Sequence, residues 1–132
     1  MILIDSCVLL DILTVDSDWY SWSANALSNA GSESELVINP IVYAEVSARF
    51  ATPDDFDEIF PSDEFRRLAL PYSAAFLASK AHLDYRLNGG KRSATLPDFF
   101  IGAHAAVAGY DLLTRDPRRF RKYFPSVGLI CP

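Results

Sequence analysis

The sequence predicts an α/β fold, a central parallel sheet flanked by helices in three α/β/α layers, and three observations carry that prediction. Short apolar runs that end in an acid or a proline alternate with longer segments whose apolar residues recur at helical spacing. The runs are too uniformly apolar for half-solvated hairpin strands and suit a sheet buried on both faces. The segments between them are long enough for the crossovers that parallel strands require. With 132 residues, half of them hydrophobic, the chain is read as one domain over residues 1–132 with material for a core of that size.

Taken in order, residues 1–4 (MILI) read as a central strand, and Asp5-Ser6 offers capping oxygens to a helix through Val8, Leu9, Ile12 and Leu13. Residues 19–30 have helical character that Gly31-Ser32 should break, and residues 35–39 form a second strand stopped by Pro40. Pro40 suits a first helical turn and starts a helix through Phe50, on which Ile41, Glu45 and Ala48 share a face. A short helix over 54–60 has acids in its first turn, and a strand over 65–70 follows and is closed by Pro71. Residues 72–87 make a long helix with one stripe of Ala74, Leu77, Ala78, Ala81 and Tyr85 and another of Phe76, Leu83 and Leu87, ended by Asn88-Gly89-Gly90. Pro97 and Asp98 open a helix that is apolar nearly all round as far as Val107, which marks it as buried, and Gly109 ends it. Residues 111–114 are a buried strand before Asp116-Pro117, residues 118–123 a basic turn of helix, and residues 127–130 a last strand.

The net charge of −5 conceals an asymmetry, because residues 1–64 hold 13 acids against the single base Arg49, whereas residues 65–132 hold 11 bases and four acids. The bases gather as Arg86, Lys91 and Arg92, and as Arg115, Arg118, Arg119, Arg121 and Lys122 beside Asp116. Binding of nucleic acid follows the local field rather than the total charge, so an acidic chain does not exclude it. Cys7 and Cys131 lack metal-ligand spacing and are read as small buried hydrophobes in a reducing compartment. Neither a signal peptide nor a membrane-length apolar span is visible, so a cytoplasmic location without membrane contact is expected. The six glycines form neither a P-loop nor a G-x-G-x-x-G motif, and His82 and His104 are read as packed or surface residues.

Four acids occupy comparable places: Asp5 ends the first strand, Glu45 lies on the helix after the second, Asp98 starts a buried helix, and Asp116 ends a later strand. Each alone has an ordinary explanation as a cap, a first-turn acid or a solvated side chain. Right-handed crossovers, however, bring strand ends to one sheet edge and gather these acids together. Carboxylates that close either rise in pKa or enclose a cation, and oxygen-only ligands favour Mg²⁺ or Mn²⁺ over zinc. Such a site suits metal-assisted phosphodiester hydrolysis. Thr114 and Ser6, within two residues of these acids, are candidates to hold a carboxylate or water in place. Arg115, Arg118, Arg119, Arg121 and Lys122 are the candidates to bind a nucleic-acid backbone, which the resemblance below makes RNA, since an acidic site by itself repels phosphate.

The segments MILIDSCVLLDIL, NPIVYAEV, LPDFFIGAHAA, LLTRDPRRFRKYFP and VGLICP resemble PIN-domain proteins of the VapC toxin type over nearly the whole chain. That resemblance implies a single PIN-like domain and a Mg²⁺- or Mn²⁺-dependent endoribonuclease, the toxin of a toxin–antitoxin pair. It also implies a homodimer held inactive by a cognate antitoxin. It carries the family's acidic site onto Asp5, Glu45, Asp98 and Asp116, with Thr114 in support. Cys7 stands where the family often has Ser or Asn, and Arg118 where some relatives have a further acid. Other classes compete less well: a receiver-like phosphoacceptor needs a second acid beside Asp5, and a D-x-D phosphatase needs Asp where Cys7 stands. A catalytically silent PIN-like or receiver-like Mg-binding interaction module is the alternative that the same residues allow.

Overall fold

The computed structural model describes residues 1–90 and 96–132. Lys91 and Arg92, expected among the basic residues, lie outside the described residues. Five strands make one sheet: β1 (Ile2–Ile4), β2 (Leu36–Ile38), β3 (Phe65–Arg67), β4 (Asp111–Leu113) and β5 (Leu129–Ile130), in the order β3-β2-β1-β4-β5. Every neighbouring pair is parallel. The described residues also form seven helices, α1 (Ser6–Leu13), α2 (Tyr20–Glu33), α3 (Pro40–Ser47), α4 (Pro53–Ile59), α5 (Tyr72–Leu87), α6 (Leu96–Ala108) and α7 (Arg118–Tyr123). Together they give the expected three-layer α/β/α architecture.

Sheet order follows from burial. Leu3, Ile4, Val37, Ile38, Leu112 and Leu113 are fully covered, so β1, β2 and β4 take the middle, while the shorter or more polar β5 and β3 take the edges. From β1 the chain crosses one way to β2 and β3, then returns to the other side for β4 and β5. The reversal falls between β1 and β4, where a doubly wound sheet opens a crevice beyond its carboxyl ends. Pairing of Ile4 with Leu113 brings both chains to that crevice in register, and the Asp5 amide continues the ladder by donating to the Leu113 carbonyl at 2.9 Å.

The helix carrying Asp98 is buried, as its composition predicts: Phe99, Ile101 and Ala103 have no exposed surface. Small residues let its neighbours come close. Ala74, Ala78 and Ala81 turn the α5 stripe inward, and a Cβ on Gly102 would stand 2.4 Å from Phe124, so glycine is what lets α6 lie under that ring. Asn88-Gly89-Gly90 ends α5 as expected: Gly89 sits at φ 87°, with its amide on Arg86 and the Gly90 amide on Tyr85.

Several element ends differ from the expectation. Helix α2 runs through Gly31-Ser32 to Glu33, because Ser32 Oγ donates back to the Asn29 carbonyl at 2.8 Å while Leu36 of β2 packs over Gly31. Helix α3 stops at Ser47 rather than Phe50; the Arg49 and Phe50 amides bond three residues back, so the chain tightens out of the α form. The third strand ends at Arg67 rather than residue 70, since its partner leaves the sheet at Asn39. The last begins at Leu129, because Val127 is held in a turn to the Phe124 carbonyl. No described helix is long and apolar enough to cross a membrane.

Candidate active site

Asp5 occupies the N-cap position of α1, yet its carboxylate makes no capping bond. Oδ2 instead accepts from Thr114 Oγ1 at 2.8 Å and Cys7 Sγ at 3.4 Å, across the β1–β4 boundary. Asp5 is only 5% exposed. Burial pushes its carboxyl up to about 6, the Thr114 hydroxyl opposes the rise, and Asp98 and Glu45 add to it. Thr114 is fully buried where β4 ends and also accepts the Asp116 amide at 3.1 Å, so one hydroxyl ties Asp5 to the turn that carries Asp116.

Glu45 projects half-buried from α3 and accepts from Ser6 Oγ at 2.9 Å. Burial raises its carboxyl above the usual range and Asp98 raises it further. The start of α3 is set by Asn39, whose Oδ1 accepts the Ile41 and Val42 amides at 3.0 Å. Asn39 Nδ2 lies 3.1 Å from Nδ1 of His104, a buried residue of α6. With Oδ1 committed to the cap, the amide nitrogen is the donor and His104 accepts as a neutral ring, consistent with burial lowering its pKa. That bond ties the helix of Glu45 to the helix of Asp98.

Asp98 stands in the first turn of α6, partly buried, in an ion pair with Arg119. Burial raises its carboxyl, Arg119 pulls it down, and Asp116 raises it. Asp116 is exposed and pairs with Arg118 Nε at 3.2 Å, a bond that holds its carboxyl below the usual range. Asp98 is therefore the acid through which the four are coupled, since it acts on Asp5 and Glu45 and feels Asp116. A cavity of about 140 Å³ opens onto Asp5, Asp98, Asp116, Arg115 and Arg119. A second, of about 420 Å³, shares Asp116 and Arg119 and is lined by Arg118, Lys122 and two tyrosines, Tyr85 and Tyr123.

Asp5, Asp98 and Asp116 share the smaller cavity and Glu45 does not line it, and among the described residues no three His, Cys, Asp or Glu groups already stand as metal ligands. The reason is visible in the pairing, because Arg119 and Arg118 hold Asp98 and Asp116. The donors fit a hard divalent ion rather than a soft one. Both side-chain bonds to Asp5 fall on Oδ2, leaving Oδ1 for a ligand, and the Cys7 thiol, pushed up to about 12 by burial and by Asp5, stays protonated.

Of the five bases expected to bind RNA, Arg115, Arg118 and Arg119 are ion-paired, while Arg121 and Lys122 make no ion pair among the described residues. Two polar residues that sequence reasoning passed over prove structural keystones, Asn39 and Asp11. The signal for Asp11 was present as a lone acid inside the apolar run of α1.

The family model for the PIN domain matches residues 2–124. A search of the curated proteins finds no match. Among solved structures, the chain is similar to one in VapBC2 from Rickettsia felis bound to a DNA fragment from their promoter, at 17% identity and TM-score 0.73, covering 100% of this chain and 99% of that one. A chain of VapBC-1 from nontypeable Haemophilus influenzae gives 15% identity and TM-score 0.73 over 99% and 98%. A toxin-antitoxin complex from Klebsiella pneumoniae gives 20% and 0.70 over 96% and 95%. Identities this low carry the fold and leave activity to the site itself.

Proposed function

The chain belongs to the PIN domain family, and from that premise we propose that it is a divalent-metal-dependent endoribonuclease cutting phosphodiester bonds of single-stranded or loop RNA. The observation that carries the proposal is Asp5, a buried acid at the sheet's switch point that makes no ion pair among the described residues and whose carboxyl is raised by Asp98 and Glu45. A buried anion without a counter-charge is costly to the fold, and a site that keeps one is arranged for a ligand.

In this reading Asp5, Glu45, Asp98 and Asp116 hold Mg²⁺ or Mn²⁺. Such an ion, when bound, polarises a phosphoryl oxygen and lowers the pKa of a water for in-line attack. Thr114 fixes the orientation of Asp5, and Ser6 that of Glu45. Arg118 and Arg119, which pair with Asp116 and Asp98, would be free to meet RNA phosphates where those acids held a cation, and Arg115, Arg121 and Lys122 would extend the basic track. Unpaired RNA suits the site because its backbone and bases are accessible, whereas an A-form duplex hides base edges in a deep groove.

The role fits the toxin of a toxin–antitoxin pair: a cytoplasmic protein of one PIN-like domain, homodimeric and blocked by a small antitoxin. Likeness to chains of toxin–antitoxin complexes supports the antitoxin. The outer face of α5 supports the dimer, because Tyr72 is 95% exposed and Phe76, Leu83 and Leu87 continue the same stripe. The ion pairs on Asp98 and Asp116 favour one other reading, a silent interaction module whose arginines stand permanently in the place of a metal. Incubation with single-stranded RNA in Mn²⁺ or EDTA separates the two. Cleavage that needs Mn²⁺ and vanishes in Asp5→Asn supports the nuclease; intact RNA in Mn²⁺ leaves the silent module, and cleavage persisting in EDTA places the chemistry elsewhere.

A further inference from the structure

Arg115 differs from the other arginines at the site. Arg118 and Arg119 pair with Asp116 and Asp98, two of the acids assigned to the cation, whereas Arg115 pairs with an acid outside that set. Its Nε donates to Oδ2 of Asp11 at 2.8 Å, and Ser23 Oγ donates to the same oxygen at 2.8 Å. Asp11 is 2% exposed and Ser23 is fully covered, so water does not compete for that carboxylate. The guanidinium carbon also lies 5.5 Å from the centroid of the Trp19 ring. Helix α1, the entry to α2 and the turn after β4 thus converge on one side chain.

The bond to Asp11 uses Nε, and among the described residues the two terminal nitrogens donate to no protein acceptor. Arg115 remains 31% exposed and lines the carboxylate cavity. An arginine fixed in this way keeps its fork oriented and loses little freedom when it meets a phosphate. Arg118 and Arg119 would have to leave acids assigned to the cation before meeting a phosphate; Arg115, held by Asp11, would not.

We propose that Asp11 is a positioning residue, and that the arginine it holds, Arg115, donates to the phosphodiester backbone of the RNA lying at the carboxylate site. The proposal rests on the ribonuclease reading above. Ser23 shares the Asp11 oxygen and completes the anchor.

Binding of a labelled unpaired RNA oligonucleotide to the full chain in EDTA, measured across a range of salt, tests it. Arg115→Gln is expected to weaken binding about tenfold and to flatten log affinity against log salt by roughly 0.7, the loss of one phosphate contact. Asp11→Asn keeps the shape and an acceptor for Ser23; it is expected to shift both quantities the same way by less, and to add nothing in the Arg115→Gln background. Should Asp11→Asn fail to fold, Arg115→Lys carries the same test, since one ammonium cannot reach both Asp11 and a phosphate, and its affinity should fall between the parent and Arg115→Gln. Unchanged affinity and salt slope in Arg115→Gln overturns the proposal, as does an Asp11→Asn effect that adds fully to that of Arg115→Gln. RNA cleavage by the parent on adding Mn²⁺ is scored separately. Cleavage with indifferent Arg115 variants sinks this proposal alone, whereas a parent that neither binds nor cuts RNA sinks the ribonuclease reading.

Discussion

Asp5 and Asp116 follow neighbouring strands of one sheet and reach the same cavity, yet they end in opposite electrostatic states. Asp5 comes directly after Ile4, under α1 and against Thr114, and its burial lifts the carboxyl to about 6. Asp116 comes three residues after Leu113, far enough out to meet solvent, and the hydrogen bond from Arg118 holds its carboxyl low. Two residues of extra chain separate a buried acid with no ion pair among the described residues from an exposed one paired with Arg118. A strand-end acid is therefore informative about a site only once its cover and its partner are known.

The comparison breaks most visibly in activity. Asp5→Asn is expected to lower metal-dependent RNA cleavage on the order of a thousandfold, against about tenfold for Asp116→Asn, because the solvated acid is the more replaceable ligand. Equal losses measured by initial rates in Mn²⁺ would erase the distinction drawn between them.

Stability in EDTA sharpens it, because the two acids act with opposite sign. The folded pKa of Asp5 lies near 6, above the ordinary 3.8, so ionising it opposes folding: the penalty is absent below about pH 4, grows between 4 and 6, and is complete above. Asp5→Asn should then exceed the parent by up to roughly 3 kcal/mol at pH 7.5, with the gap closing near pH 4. The folded pKa of Asp116 is lowered, so its ion pair adds stability above the unfolded value and loses it as pH falls through the folded one. Screening by solvent limits that contribution to under about 1 kcal/mol, and Asp116→Asn should be slightly less stable than the parent at pH 7.5. Denaturant melts at the two pH values check both signs.

A smaller effect belongs to the hydroxyl that joins the two acids. Thr114→Val keeps the buried shape but removes the donor to Asp5 and the acceptor for the Asp116 amide, and is expected to cost about tenfold to a hundredfold in cleavage. A rate within twofold of the parent would reduce Thr114 to packing.

Much of this fold was legible before any coordinates, since apolar runs stopped by Pro40, Pro71 and Pro117 mark where strands give way to helices. The Phe99–Val107 run announced a buried helix in the same manner. The four acids were legible as a group because parallel crossovers leave only one edge for them. Their states were not. Whether Asp98 meets Arg119, or Asp11 meets Arg115, depends on side chains 21 and 104 residues apart, and no local spacing encodes that. Gly31 failed as a breaker for a related reason: the packing of Leu36 over α2 outweighs a propensity cost of about 1 kcal/mol.

The central claim is that Asp5 is kept ionisable, buried and without an ion pair among the described residues because a divalent cation completes it. Thermal melts of the parent and Asp5→Asn, each in EDTA and in excess Mn²⁺ at pH 7.5, test this most directly. An ion that binds only the folded state adds about 2.7 kcal/mol at one hundred times its dissociation constant. The account predicts that gain for the parent, and for Asp5→Asn a higher melting point in EDTA with little further rise in Mn²⁺. A variant that melts below the parent in EDTA and still takes the full Mn²⁺ shift would contradict it, and would make Asp5 a structural acid beside a metal held by others.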